Sequence, residues 1–242
     1  MSTPMQTIRL TTAQALTRFL INQHVELDDG SEMPFFAGVW AIFGHGNVAG
    51  IGEALYQVRD QLPTYRGHNE QSMALAAIAF AKARQRQQVM VATTSIGPGA
   101  TNLVTAAGVA YVNRLPVLLV PGDVFASGQP DPVLQQSENF ADGSSTVNDA
   151  LRPVSRYFHR ITRPEQLIQA LTQAMVALTD SALCGPATIS VCQDVQSLAF
   201  NYPEHMFEKQ VWRLRRQGPD QHELNQAVET LLGAKQPVIV AG

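Results

Sequence analysis

Val89-Met90-Val91-Ala92-Thr93-Thr94-Ser95-Ile96-Gly97-Pro98-Gly99-Ala100-Thr101-Asn102 is the stretch that decides the fold. Its first six residues are apolar or β-branched and read as a strand. A glycine-rich turn follows, and Ala100 to about Asn113 reads as a helix. A strand that passes through a tight turn straight into a helix is one βα unit. Such units assemble into a mainly parallel, doubly wound sheet with helices on both faces. As a dinucleotide fingerprint the turn is poor. Asn102 stands where the third glycine belongs, and Pro98 removes a backbone donor where phosphates need one. The turn is read as a backbone requirement that also lines a site.

The same alternation extends in both directions. Thr11 or Thr12 caps a first helix to about Gln23, with Ala13, Leu16, Phe19 and Leu20 facing inward. Val25 to Met33 reads as acidic and turn-like. The apolar run Phe35 to Phe43 reads as a strand buried on both faces. It stops at Gly44-His45-Gly46-Asn47, before a short helix to about Tyr56. Leu62 to Tyr65 is a short strand, and a helix runs from Glu70 to about Gln87. Pro116 to Val120 is a strand that Pro121-Gly122-Asp123 should break. The polar segment Ser127 to Asp149, with Gln135 and Gln136, reads as a binding loop or lid. Arg152 to Phe158 reads as a further strand. Thr162-Arg163-Pro164-Glu165 has the pattern of a capping box. The helix behind it turns Leu167, Leu171, Ala174, Met175 and Leu178 to one side, and Pro186 to Cys192 closes the set as a strand.

Tyr65-Arg66-Gly67-His68-Asn69-Glu70 is polar, whereas the residues after Glu70 are Ala-rich and almost uncharged until Lys82. Glu70 therefore stands where a loop becomes a buried helix. Desolvation disfavours charge at such a place, while a helix N-terminus favours it. A carboxyl group so placed is suited to proton exchange with a ligand, although local sequence alone favours the plainer reading of a helix cap in the first turn. Ligands of parallel α/β sheets bind beyond the carboxyl ends of the strands. The loops leaving those ends carry His45, Asn47, His68, Asn69, Glu70, Ser95 and Asn102.

Residues 1–193 thus form one α/β domain, and 194–219, without periodicity, read as a linker. From Asp220 a helix with Leu224, Ala227, Val228, Leu231 and Leu232 on one stripe leads to the strand-like Val238-Ile239-Val240. One helix and one strand do not bury their own apolar faces. Residues 220–242 are therefore expected to be the truncated start of a second α/β domain.

Composition excludes several classes. Seventeen Lys and Arg against 20 Asp and Glu give a net charge of −3, which does not suit nucleic acid or an anionic membrane as main partner. No apolar run reaches the ~20 residues of a membrane span. Cys184 and Cys192 have no metal or redox spacing, the six histidines have no zinc spacing, and no signal peptide opens the chain. The cytoplasm is the expected compartment. Ser95 does not sit in a nucleophile elbow, because Thr93 occupies the first glycine position.

The order of these motifs resembles a known family. A Glu opening a buried helix, then Gly97-Pro98-Gly99-Ala100-Thr101-Asn102, then Leu115-Pro116-Val117-Leu118-Leu119-Val120-Pro121-Gly122-Asp123 is similar to the pyrimidine-binding domain of thiamine-diphosphate enzymes of the acetolactate synthase and pyruvate oxidase type. Ile42-Phe43-Gly44-His45-Gly46-Asn47-Val48, Pro121 to Ala126, Gln129 to Gln136 and Arg160 to Leu167 resemble the branch that hydrolyses trihydroxycyclohexane-1,2-dione in myo-inositol catabolism. Leu134-Gln135-Gln136 departs from the Phe-Gln-Glu of acetolactate synthases.

The resemblance implies a thiamine diphosphate cofactor with Mg²⁺, a small polyhydroxylated cyclic dione as substrate and a deoxy-uronic acid as product. It implies that Glu70 hydrogen-bonds N1′ of the aminopyrimidine, so that the 4′-amino group acts as a base. Gly97, Asn102, Gly46 and Asn47 are then expected around the cofactor, with His45, His68 and Gln136 polarising carbonyls or orienting water. The Gly-Asp-Gly that holds metal and diphosphate in the family is not found here, so no metal ligand is assigned. A homo-oligomer with sites shared between subunits follows from the same resemblance. A carboligase of the acetolactate synthase type and a non-catalytic module with this fold are the alternatives.

Overall fold

The computed structural model describes residues 6–127, 137, 139, 141–142, 144–216 and 218–240. β1 (Thr7–Thr11) runs into α1 (Thr12–Ile21), where Thr11 and Gln14 form a reciprocal capping box. β2 (Gln23–Glu26) and β3 (Glu32–Pro34) make an antiparallel hairpin from the segment expected to be only a turn. β4 (Phe36–Ala41) is followed by a five-residue π turn, Val48–Gly52, and α2 (Glu53–Gln57). Then come β5 (Thr64–Arg66), α3 (Glu70–Ala83), β6 (Val89–Thr94), α4 (Pro98–Thr101), α5 (Val104–Val112) and β7 (Val117–Asp123). A 3₁₀ segment, Val147–Val154, precedes β8 (Tyr157–Ile161), α6 (Gln166–Thr179), β9 (Pro186–Cys192) and α7 (Gln193–Gln196). β10 (Ala199–Pro203), β11 (Gln210–Arg213) and α8 (Gln221–Gly233) complete the described chain.

Six strands form one all-parallel sheet in the order β5-β4-β6-β7-β9-β8. Successive side chains of a strand point to opposite faces, so a strand covered twice must be apolar throughout. In β6, Val89 and Val91 join the core under α1 and α6, while Met90 and Ala92 join the core under α3 and α5. β7 divides Leu118 and Val120 from Val117 and Leu119 in the same way. The fold class read from the sequence is the fold observed.

Several further local readings change. Pro121 does not break its strand: the ladder to β6 ends there, but pairing with β9 continues through Gly122 and Asp123. Residues 152–156 belong to the 3₁₀ turn and its exit, and the strand begins only at Tyr157. At α6, Glu165 already has helical dihedrals, and its side chain caps nothing. Gln166 takes over, its Oε1 accepting from the Thr162 and Arg163 backbone N–H groups at 2.8 and 3.1 Å. The stretch 194–219 carries β10 and β11, which pair with β1 and β2 across most of the chain. α8 forms with Asp220 as its cap, but it buries no residue, and Val238 to Val240 belong to no strand.

Candidate functional site

The loop after β4 is closed by its own hydrogen bonds. Asn47, 1% exposed, donates both amide hydrogens, to Ile42 O at 3.1 Å and Thr93 Oγ1 at 3.3 Å, and accepts from Gly44 N at 3.0 Å. Gly46 N donates to Ser95 Oγ at 3.1 Å, and Gly46 O accepts from Gln196 Nε2 at 2.7 Å. A Cβ on Gly46 would stand 2.5 Å from Ile96 Cγ2, so the close approach demands glycine. Gln196 is also buried and accepts from Ile51 N at 3.2 Å, tying the π turn to the same point. Asn47 and Gly46, expected at the cofactor, are therefore built into the loop's frame: their polar groups are consumed internally. His45, held between the two pinned glycines, is half-buried, and its Nε2 is shielded without a partner among the described residues.

The loops after β5 and β6 meet in a different way. Asn69 caps α3, with Oδ1 accepting from Ser72 N at 2.9 Å. The N-cap itself is thus Asn69, and Glu70 is the acidic residue of the first turn behind it. The half-buried Glu70 carboxylate instead points to the turn after β6, where Oε2 accepts from Asn102 Nδ2 at 2.9 Å. Gly97 makes that turn possible with φ +65°. Gly99 lies against the other oxygen: a Cβ there would be 3.2 Å from Glu70 Oε1. Glu70, Pro98, Gly99, Thr101 and Asn102 line an open cleft of about 570 Å³. Gly97 acts through its backbone, and Gly99, not singled out by the sequence, is the glycine that lines the cleft. His68 is exposed on the loop before Asn69. Gln136 lies outside the described residues, as does Gln135.

A second carboxylate occupies the carboxyl end of β7. Asp123, 2% exposed, pairs with Arg160 Nε at 2.8 Å and accepts from Ser190 Oγ at 2.8 Å and from Thr146 Oγ1. Asn148 extends the network, donating to Gly122 O and to Ser190 Oγ, both at 2.8 Å. Burial works against the charge of Arg160, but Asp123, Cys192 and Asp149 outweigh it and carry its pKa above the usual value. Other hollows, of about 560 and 1090 Å³, lie at the amino end of the sheet among charged residues such as Asp28, Asp180 and Arg216. That end is remote from the converging loops and from any proton-exchanging geometry.

A carboxylate with one oxygen tethered and the other facing an open cleft is fit to bond a protonatable ring nitrogen. Among the described residues no group of His, Cys, Asp and Glu is arranged to hold a metal, and no helix is long and apolar enough to cross a membrane.

Residues 37–143, within the α/β unit, match the family model of the thiamine pyrophosphate enzyme N-terminal TPP binding domain. The matched segment runs from the second residue of β4 past the end of β7 and includes Glu70. The chain is 52% identical over 237 residues to the 3D-(3,5/4)-trihydroxycyclohexane-1,2-dione hydrolase of Shouchella clausii (strain KSM-K16). It is likewise 52% identical over 238 residues to the protein of that name from Geobacillus thermodenitrificans (strain NG80-2), and 51% over 237 residues to that of Listeria monocytogenes serotype 4b (strain F2365). Each match covers 98% of this chain and 37% of the relative, so the chain spans well under half the length of these curated relatives.

Proposed function

We propose that the chain supplies the pyrimidine-binding part of a thiamine-diphosphate-dependent hydrolase that opens a trihydroxycyclohexane-1,2-dione ring to a deoxy-uronic acid. The observation that carries this is Glu70, with Oε2 held by Asn102 and Oε1 beside Gly99 in the cleft. The similarity to relatives named for that dione supports the substrate.

Bound thiamine diphosphate would supply a thiazolium centre that accepts the electrons of the broken C–C bond. Glu70 holds a proton at N1′ of the pyrimidine and so sets which form of the 4′-amino group faces the reacting carbon. Pro98 and Gly99 line the cleft beside the carboxylate, and Asn102 fixes that carboxylate. His45 carries a shielded Nε2 without a partner among the described residues, and a substrate oxygen that uncovered it would supply the missing hydrogen bond. His68 and Gln136 complete the set that polarises carbonyls or orients the attacking water. Mg²⁺ and the diphosphate are held by residues outside this chain, in a homo-oligomer whose sites are shared between subunits. The chain works in the cytoplasm.

The holoprotein decides the reading. Ring opening of the dione, followed by its ultraviolet absorbance, is expected to exceed acetolactate formation from pyruvate by orders of magnitude. Acetolactate formation alone would replace the hydrolase by a carboligase. Glu70→Gln should abolish most hydrogen exchange at C2 of the bound cofactor, by roughly 10²–10⁴-fold for a lost acid–base group. Unchanged exchange would remove the assignment altogether.

A further inference from the structure

We infer that Asn102 is a positioning residue: its amide holds Oε2 of Glu70 and thereby presents Oε1, past Gly99, to the cofactor's pyrimidine ring. The inference rests on the thiamine-diphosphate reading and assigns the third role in the Gly97 to Asn102 turn. Gly97 permits the turn, Gly99 leaves room for the free oxygen, and Asn102 fixes the other oxygen.

The geometry argues against a passive wall. Asn102 lies 32 residues from Glu70 in sequence, and the two meet because adjacent parallel units deliver both loops to one end of the sheet. Asn102 is the C-cap of the short α4, with its backbone N–H already bonded to Pro98 O, so its side chain has no structural duty left in the turn. Among the described residues no second donor reaches the Glu70 carboxylate. An unrestrained glutamate in an open cleft samples several rotamers, and fixing one before the ring binds lowers the ordering cost. The donor is also neutral. A guanidinium would hold the carboxylate equally well but would bind its negative charge far more strongly. An amide orients without locking the charge, as a group that shuttles a proton requires.

Three measurements test this. In the chain without cofactor, the Asn102 side-chain ¹⁵N–¹H resonances should move on acidification, and Glu70→Gln should abolish the movement. Resonances indifferent to Glu70 would overturn the contact. In the holoprotein, Asn102→Ala should slow C2 exchange roughly ten- to a hundredfold, the range of one hydrogen bond to a charged group, while cofactor affinity falls by less. Asn102→Asp, which sets a like charge against Glu70, should be slower still. Gly99→Ala gives an arm independent of the amide. Its helical backbone accepts alanine, so the melting temperature should hold or rise while exchange falls. Loss of exchange in Glu70→Gln with wild-type rates in both Asn102→Ala and Gly99→Ala would refute the positioning role and leave the functional reading intact. Unaltered exchange in Glu70→Gln would refute that reading instead. Equal losses of affinity, melting temperature and exchange in Asn102→Ala would reduce Asn102 to a structural residue.

Discussion

Two carboxylates stand at the carboxyl end of the same sheet and are held in opposite ways. Asp123 is sealed among a guanidinium and two hydroxyls, with almost no exposure. Glu70 is half-buried, has one neutral donor and faces a cleft. A buried charge must be paired and hydrogen-bonded to exist at all, and pairing of that completeness leaves nothing for a ligand. A carboxylate meant for proton exchange must stay incompletely satisfied. The difference separates the acid that holds the fold from the acid that serves chemistry, although both follow strands of one parallel layer.

The largest effect that would break this contrast is at Asp123. Asp123→Asn leaves the Arg160 guanidinium buried without a counter-ion, and roughly 3–5 kcal/mol of stability should be lost. Urea unfolding of the chain measures it. Joining Arg160→Met to Asp123→Asn should recover much of the loss, because the stranded charge is then gone. If Asp123→Asn alone were neutral, the sealed network would be ornamental and the comparison would fail.

Next in size is Gln196, which pins the loop of His45 from 150 residues away. Gln196→Leu removes the partners of Gly46 O and Ile51 N in a buried place, at about 1–3 kcal/mol. The amide hydrogen of Ile51 should lose protection from exchange more than those of β6 and β7. Equal loss everywhere would show that Gln196 merely adds to the core.

The two thiols give a smaller, pH-dependent effect. Burial is the main cause that pushes Cys184 up to about 11 and Cys192 up to about 12. Both are neutral in either state well below pH 9. As pH rises above about 9, the unfolded chain ionises them and the folded chain does not. Stability should therefore hold at neutral pH and decline from about pH 9 towards 11, by on the order of 1 kcal/mol per thiol for each unit. Native thiols should also resist iodoacetamide at pH 8 and react once urea unfolds the chain.

What the sequence disclosed follows the range of each signal. β4 announces itself as a continuous apolar run, β6 and β9 as short apolar and β-branched ones, and α6 by a clear 3.6-residue period, because burial on both faces or on one stripe is written locally. β10 and β11 leave no such trace. They pair with Thr7–Thr11 and Gln23–Glu26 from nearly the far end of the chain, and short edge strands need little hydrophobicity of their own. α8 shows the converse: its cap and its stripe form the predicted helix, yet Leu224, Val228 and Leu231 remain exposed because helix formation needs no partner and burial does. At the site, Glu70 was visible where a polar loop enters an Ala-rich helix. Its bond to Asn102 and the role of Gln196 join distant segments, and a lone amide after a strand carries no pattern. The inward turn of the Asn47 amide, bonded to Ile42, Thr93 and Gly44, was not legible, because loop position alone does not say whether a side chain turns in or out.

The smallest expected change in stability sharpens the contrast most. Glu70→Gln keeps the size of the side chain and an oxygen for the Asn102 amide, and it leaves no counter-charge stranded. Its stability should stay within about 0.5 kcal/mol of the parent, as for a substitution that breaks no packing or buried pair. A modest gain would also fit, since sites shaped for chemistry are seldom at their stability optimum. Equilibrium unfolding of Glu70→Gln beside Asp123→Asn is the comparison in its barest form. The two replacements each turn one carboxylate into an amide at the same end of one sheet. If Glu70→Gln cost as much as Asp123→Asn, Glu70 would be a structural acid, and its open side would have to be explained without a ligand.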